Sequence, residues 1–325
     1  MPGPKTHNIF YQDLKQRLDS NVLSDFPNYN QYSLFAQGHD FLIYHNFYKI
    51  WNSKKLNQNI DDSVLLQESK LPEFVYHYLD IANRSGAIEE EQTRIFLGPG
   101  YLMHHILDAY MHPQIIYYAG DHARDPNKST WVHGIIENLL DIYMMEYKEK
   151  KDAKTYPVQG DFLMNFEFSP QLMETLTKAL YLTYHMENGG ERFAQACSQM
   201  ELFMKVFKYD PNGFKKIIFD FMDPLLKGTS SFSYHRDGDE VKSYLNFNHE
   251  KWVNPIDDSV ISTDSILYLY EKALQDGSIM INQLEQLCQS GHINYSDICK
   301  IVPDISSIHG LDSEKKLVIR YTKNR

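Results

Sequence analysis

Cysteine is scarce in this chain, which has three cysteines among 325 residues. Cys197, Cys288 and Cys299 all lie in the second half, and no two of them have the CxxC spacing of a zinc knuckle. Three such thiols provide neither a disulfide framework nor a cysteine-based metal site. A metal centre in this protein must therefore use histidine and carboxylate ligands.

Long apolar runs and an excess of basic residues are also missing. No run of 18 or more apolar residues occurs, so the sequence predicts no transmembrane segment. The 32 Lys and Arg residues are outnumbered by 43 Asp and Glu residues, giving a formal net charge of −11. This balance argues against binding of long nucleic acids, which depends on clustered basic residues. The start, MPGPKTHNIFYQDLK, lacks the features of a secretory signal, and we therefore expect a cytoplasmic protein.

The spacing of apolar residues is helical along most of the chain and predicts an all-α fold. Helices are predicted at residues 11–18, 31–51, 71–82, 89–112, 129–151, 170–186, 191–207, 212–222, 263–275 and 280–289. Residues 227–256 are polar and turn-rich, and one strand is predicted at residues 317–321. We divide the chain into a helical domain over residues 1–189 and a helical C-terminal extension over residues 190–325, which in one arrangement packs on the same domain.

Histidines are concentrated in one part of the sequence. Five of the fourteen fall within thirty residues, far more than an even distribution would place there: His104, His105, His112, His122 and His133. Residues four apart share one face of a helix, so His104, Asp108 and His112 form a stripe of alternating ligand types. Pro113 is expected to end this helix just beyond the stripe.

His133 and Glu137 repeat this spacing on a second predicted helix, at the edge of an apolar face. For a single pair of this kind a helical salt bridge is the commoner explanation, but three linked elements so close together favour a metal site. Imidazole and carboxylate are the ligands that zinc takes when thiolates are absent. The ligands outnumber the needs of one tetrahedral ion, so we predict more than one Zn²⁺.

Four strings give the chain a specific resemblance. HHILDAYMHP at residues 104–113 and HGIIENLLD at residues 133–141 follow THNIF near the start and QGHDFLIY upstream. With these motifs, residues 1–145 resemble the bacterial zinc-dependent phospholipase C family and, more distantly, the fungal single-strand-specific zinc nucleases. The resemblance implies a multi-helix domain of the zinc-dependent phospholipase C type that holds two or three Zn²⁺ ions.

The same resemblance implies how the ligands are shared. His104 and Asp108 would serve a buried paired site, with Asp108 bridging to the third metal. His112, His133 and Glu137 would hold the remaining ion. The HxxxD, H and HxxxE elements that carry these residues occur in the same order as in the family.

His7 and Asp141 extend the implied set. The family's third metal is bound by the N-terminal amine and carbonyl together with an early histidine, which here is His7. The tryptophan with which secreted family members begin is absent from this chain. Asp141 lies one turn beyond the predicted zinc ligand Glu137, and this position suits a partner that orients a ligating imidazole.

Two further ligands are expected between the first motif and the histidine-rich stretch. The resemblance makes Asp40 a ligand of the paired site and the candidate catalytic base, with a helix N-cap as the alternative. It also requires one histidine between Asp40 and His104, and His77 fits that position better than His45. His39 stands where the family motif has a proline.

The function implied is that of a zinc-dependent phosphodiesterase of the phospholipase C type. It would hydrolyse a phospholipid or a small phosphodiester by means of a zinc-bound hydroxide. A single-strand nuclease-like phosphoesterase is an alternative that needs aromatic residues for base stacking, and the candidates are Tyr44, Phe47, Tyr48 and Trp51.

The sequence is consistent with two further functions. His39 and Asp40 spell the dipeptide of the HD-type metal phosphohydrolases, although that interpretation leaves His112, His133 and Glu137 unexplained. A non-catalytic zinc-binding helical protein also fits, because the family's N-terminal tryptophan is missing. Metal content and activity on phosphodiesters would separate these functions.

Overall fold

The computed structural model describes residues 3–46, 62–120, 126–152, 167–206, 214–215, 217–218, 221 and 242–323. Helices predominate among them, and the all-α prediction is confirmed. The helices are α1 (Pro4–Lys15), α2 (Ser20–Ser24), α3 (Phe41–Tyr44), α4 (Leu71–Ser85), α5 (Glu91–Ile95), α6 (Met103–Ala119), α7 (Pro126–Met144), α8 (Pro170–Tyr184), α9 (Gly189–Val206), α10 (Ile266–Ser290) and α11 (Tyr295–Ile301). Residues 62–68 are also helical. Segments of 3-10 or π-helix cover Tyr29–Asp40, Ala87–Glu89, Phe96–Leu102 and Met145–Glu149.

Helix α4 shows how local signals set an element of this fold. Pro72 lies in its first turn, where a missing amide hydrogen costs little, and Gly86 ends the helix with a φ of 77°. Buried side chains recur at positions 71, 74, 75, 78, 79 and 82, which is the spacing of one helix face. The core therefore lies on that face, and the side chains between these positions are more exposed.

Helix α6 is the central helix and is buried along almost its whole length. It follows a π-helical segment that contains Pro99, which is a common cause of local widening in a helix. The helix does not end at Pro113, as predicted, but continues to Ala119. Proline at this position removes the amide that would bond to the carbonyl of Ala109. Burial of both faces of α6 keeps the helix intact across this missing bond.

Helix α10 brings the C-terminal part of the chain against α6. Gly277 of α10 lies so close to Met103 that a Cβ atom there would be 2.5 Å from the Met103 sulfur. Further along the same contact, the hydroxyl of Tyr110 donates a hydrogen bond to the Asp276 carboxylate over 2.5 Å. The described hydrophobic core is shared by helices on both sides of residue 190.

The helix predicted over residues 31–51 is, in its described part, a 3-10 helix over Tyr29–Asp40 followed by α3. Three further differences lie beyond residue 250. One antiparallel hairpin pairs Trp252–Asn254 (β1) with Asp257–Ser262 (β2), where the sequence predicted a turn-rich segment up to residue 256 and no strand. Residues 317–321 form no strand, although the backbone amides of Arg320 and Tyr321 both donate to the carbonyl of Pro255. The two helices predicted between residues 263 and 289 are one continuous helix, α10. Predictions for residues 47–51 and 227–241 and for most of 212–222 lie outside the described residues.

None of the helices in the described ranges is both long enough and apolar enough to cross a bilayer.

Candidate metal centre

Helix α1 carries His7 and is fixed at its N-terminus by a carboxylate from α7. Asp141 accepts hydrogen bonds from the backbone amides of Lys5 (3.1 Å) and Thr6 (2.8 Å) and from the Thr6 hydroxyl (2.7 Å). A buried carboxylate satisfies the free amides and favours the positive end of a helix. Asp141 thus holds the helix that carries His7, whereas the sequence suggested that it orients a ligating imidazole.

Gly38 allows the chain to turn beside α6. Its backbone angles are φ 48° and ψ −130°, a region that side chains avoid. A Cβ atom at this position would lie 2.6 Å from Cγ of His104. Only glycine fits such a close approach, and the turn delivers His39 and Asp40 to the same face of α6 as His104.

Five buried side chains meet at this point, and we call them the His104 cluster. They are His7, His39, Asp40, His104 and Asp108. Within the cluster, one oxygen of Asp108 lies 3.2 Å from His7 Nε2 and the other lies 3.3 Å from His104 Nε2. Asp40 lies 3.7 Å from His104 Nε2 and 3.4 Å from His39 Nδ1. Two overlapping groups, His7–Asp40–His104 and His39–His104–Asp108, each have their ligand atoms within 4.8 Å of one another.

These distances suit ligands arranged around an ion better than direct hydrogen bonds. Charge-assisted hydrogen bonds are about 2.7–2.9 Å long, whereas ligands at zinc–ligand distances on a tetrahedron are about 3.4 Å apart. Both oxygens of Asp108, both ring nitrogens of His7 and Nε2 of His104 are buried without a hydrogen-bond partner. Buried polar atoms are normally satisfied. A divalent cation with nitrogen and oxygen ligands would satisfy this group, so the residues fit zinc.

The orientation of His104 supports this interpretation. Its Nδ1 donates a hydrogen bond to the backbone carbonyl of Ala36 over 2.8 Å, which leaves Nε2 facing the two carboxylates. A backbone acceptor on one ring nitrogen is the usual way in which proteins orient a metal-binding imidazole. The Tyr29–Asp40 segment thus supplies both the acceptor for His104 and the neighbouring ligand Asp40.

Electrostatics set the protonation of the metal-free cluster. Burial alone would lower the pKa of His104, but Asp108 and Asp40 outweigh it and raise this pKa to about 10. Burial and the neighbouring His104 lower the pKa of His7 to about 4. Burial opposes ionisation of Asp40, yet His104 and His39 lower its pKa to about 2. His104 therefore holds a proton at neutral pH that a bound cation must displace.

The second set of predicted ligands, His112, His133 and Glu137, has a different geometry. His112 lies one turn beyond Asp108 on α6, and its ring is 5.0 Å from the ring of His133 on α7. His133 Nε2 lies 2.7 Å from a Glu137 oxygen, which is a direct hydrogen-bond distance. Within the described ranges these three residues are not among the groups whose ligand atoms lie within 4.8 Å of one another. In the described part of the chain, the ligand atoms converge more closely in the His104 cluster than in this second set.

Neither histidine proposed to complete the paired site belongs to the cluster. His77 lies on the more exposed face of α4, where its Nε2 is 3.8 Å from Glu73. His45 follows α3 and its Nε2 is 3.3 Å from the side-chain oxygen of Gln195 on α9. The histidine that the structure brings into the cluster is His39. The sequence signal that could have identified His39 as a candidate ligand is its position next to Asp40. In the family motif this position is a proline, so the resemblance presents His39 only as a replacement of that proline.

The C-terminal segment contacts α6 from the other side. The carbonyl of Ile305 accepts a hydrogen bond from His105 Nε2 (2.7 Å), and the carbonyl of Ser307 accepts one from His112 Nδ1 (3.3 Å). The first bond gives the buried ring of His105 a backbone partner. Gly310, with a φ of 68°, lies so close that a Cβ atom would be 2.2 Å from the Ala109 carbonyl. That carbonyl is the one left free by Pro113.

Replacement of Gly310 by alanine should therefore destabilise the protein more than the same change at Gly291. Both glycines have a φ near 70°, but Gly291 has open space where the Cβ atom would go. We expect Gly291→Ala to cost about 1 kcal/mol for the backbone conformation alone. Gly310→Ala adds a collision with backbone and should cost about 3 kcal/mol or more. Thermal unfolding of both variants checks this, and equal losses would contradict the tight contact.

Comparison of the chain with protein families, with characterised proteins and with solved structures finds no match. The resemblance to the phospholipase C family therefore rests on the four motifs alone.

Proposed function

We propose that this protein is a zinc-dependent phosphodiesterase of the phospholipase C type, acting on a phospholipid or a small phosphodiester. The observation that carries the proposal is Asp108, a buried carboxylate whose two oxygens each face an imidazole and have no hydrogen-bond partner. Such a carboxylate is suited to bridging two ions. Zinc in such a site would polarise a phosphoryl oxygen of the substrate and lower the pKa of water to near neutrality.

The residues of the cluster divide the work. His7, Asp40, His104 and Asp108 would hold the metal, because their free atoms converge. Asp40 lies at the rim of the cluster, and one of its oxygens is buried without a hydrogen-bond partner. It would orient the attacking water and accept its proton. Against the effect of burial, His104 and His39 lower the pKa of Asp40, so its carboxylate is ionised at neutral pH and can accept a hydrogen bond from that water.

The nuclease-like alternative finds less support. It needs exposed aromatic rings near the metal for base stacking. The ring of Tyr44 is instead packed edge-on against Phe203 of α9, with ring centres 5.0 Å apart. Phe47, Tyr48 and Trp51 lie outside the described residues. The HD-type alternative uses His39 and Asp40 but gives no role to His7, which lies in the cluster.

Metal content and hydrolysis on the same sample test the proposal. The purified protein should hold at least two zinc ions per chain and hydrolyse bis(p-nitrophenyl) phosphate or phosphatidylcholine. Asp108→Asn should lose bound zinc, because the amide keeps the shape of the side chain but not its charge. Asp80→Asn is the matched control, since Asp80 pairs with Arg84 on α4. Full metal content without hydrolysis of either substrate would instead favour a non-catalytic zinc protein.

A further inference from the structure

His39 is a fully buried histidine with no hydrogen bond on either ring nitrogen. Burial of an unsatisfied polar atom costs about 1–3 kcal/mol, so an imidazole with two such atoms needs an explanation. Its nearest charged neighbour is Asp40, whose carboxylate lies 3.4 Å from Nδ1 without hydrogen-bond geometry. Three rings of the described residues also contact it edge-on, namely His104, His105 and Tyr101, with ring centres 4.5 to 5.9 Å away.

If His39 had a purely structural role, we would expect it to have a hydrogen-bond partner as His105 does. His105 is equally buried, but its Nε2 donates to the carbonyl of Ile305 and so has a fixed partner outside the cluster. His39 lacks such an anchor. A ring nitrogen of His39 instead lies within 4.8 Å of ligand atoms of His104 and Asp108. His39 thus faces the cluster through an atom that is free to bind.

We propose that His39 is a metal ligand of this centre and takes the place that the family resemblance gave to His77. This inference rests on the proposed metal centre. It gives the cluster three imidazoles and two carboxylates, a set that favours zinc over magnesium or calcium, which prefer oxygen ligands. The turn at Gly38 allows this arrangement, because it places the consecutive residues His39 and Asp40 at the same proposed metal site.

Zinc affinity separates His39 from His77. His39→Gln should lower the zinc affinity of the tightest site about 100-fold or more, because even residues that only orient a ligand contribute tenfold to 100-fold. His77→Gln is the matched control and should bind zinc as the wild type does. Affinity is measured by competition with a chromogenic chelator. An unchanged affinity in His39→Gln, or a loss in His77→Gln alone, would overturn the assignment.

A new absorption band in a variant cannot be explained by misfolding alone, so a second experiment looks for such a band. Cysteine is a metal ligand, so His39→Cys loaded with Co²⁺ should show a thiolate-to-cobalt charge-transfer band that the cobalt-loaded wild type lacks. His77→Cys should show none. If wild type binds no zinc or cobalt, the metal centre itself fails. If wild type binds metal and His39→Cys gives no new band while remaining folded, only the role of His39 is refuted.

Discussion

Chelation of the proposed zinc ions should lower the unfolding temperature of this protein by about 6 °C for each ion removed. A ligand that binds only the folded state at 1,000 times its Kd stabilises that state by about 4 kcal/mol. The unfolding entropy of a chain of 325 residues converts this to about 6 °C. Differential scanning calorimetry with EDTA and with zinc measures the difference. Asp80→Asn should respond as wild type does, whereas Asp108→Asn should respond less.

The effect of chelation should also grow from pH 7 to pH 9. In the metal-free protein the pKa of His104 is raised from 6.5 to about 10. The stability that its proton contributes is complete below pH 6.5 and is lost as the pH rises through 10, at up to about 1.4 kcal/mol per pH unit. In the metal-loaded protein Nε2 of His104 carries no proton, so its stability does not fall over this pH range for that reason. A chelation effect that shrinks over this range would contradict the electrostatics of the cluster.

Local signals made part of this fold predictable. Helix α4 was predicted at residues 71–82 and observed at 71–85, because Pro72, Gly86 and the apolar spacing all act within the helix itself. The same holds for His104 and Asp108, whose spacing of four residues fixes their common face. His7 and Asp40 entered only through the family resemblance, and the structure brings both into the cluster.

Sequence and structure differ where tertiary contacts decide. Pro113 would end an exposed helix, but α6 is covered on all sides and continues. His77 has a favourable sequence position, yet the amphipathic pattern of α4 turns it away from the core. His39 carries no periodic signal, because its place depends on the unusual backbone of Gly38 and on the approach of that glycine to His104. The spacing of residues in the sequence does not predict the contact between Gly38 and His104.

Replacement of Asp40 by asparagine should reduce turnover far more than it reduces metal content. Asparagine keeps the shape and one oxygen but loses the charge, so it can neither accept a proton nor hold the attacking water as strongly. General base catalysis is typically worth about 10²–10⁴-fold, and we expect a loss of this order with zinc near the wild-type level. Hydrolysis of bis(p-nitrophenyl) phosphate and of phosphatidylcholine is measured with zinc on the same samples.

Comparison of Asp40→Asn with Asp108→Asn separates a loss of catalysis from a loss of metal. Asp108 faces two imidazoles with both oxygens, so its loss should remove metal and activity together. Asp40 has one oxygen toward His104 and the other toward His39, at the longer distances of the cluster, so its loss should affect metal binding less. Zinc loss in Asp40→Asn as large as in Asp108→Asn would make Asp40 a ligand alone. Equal turnover in wild type and Asp40→Asn would remove it from the reaction.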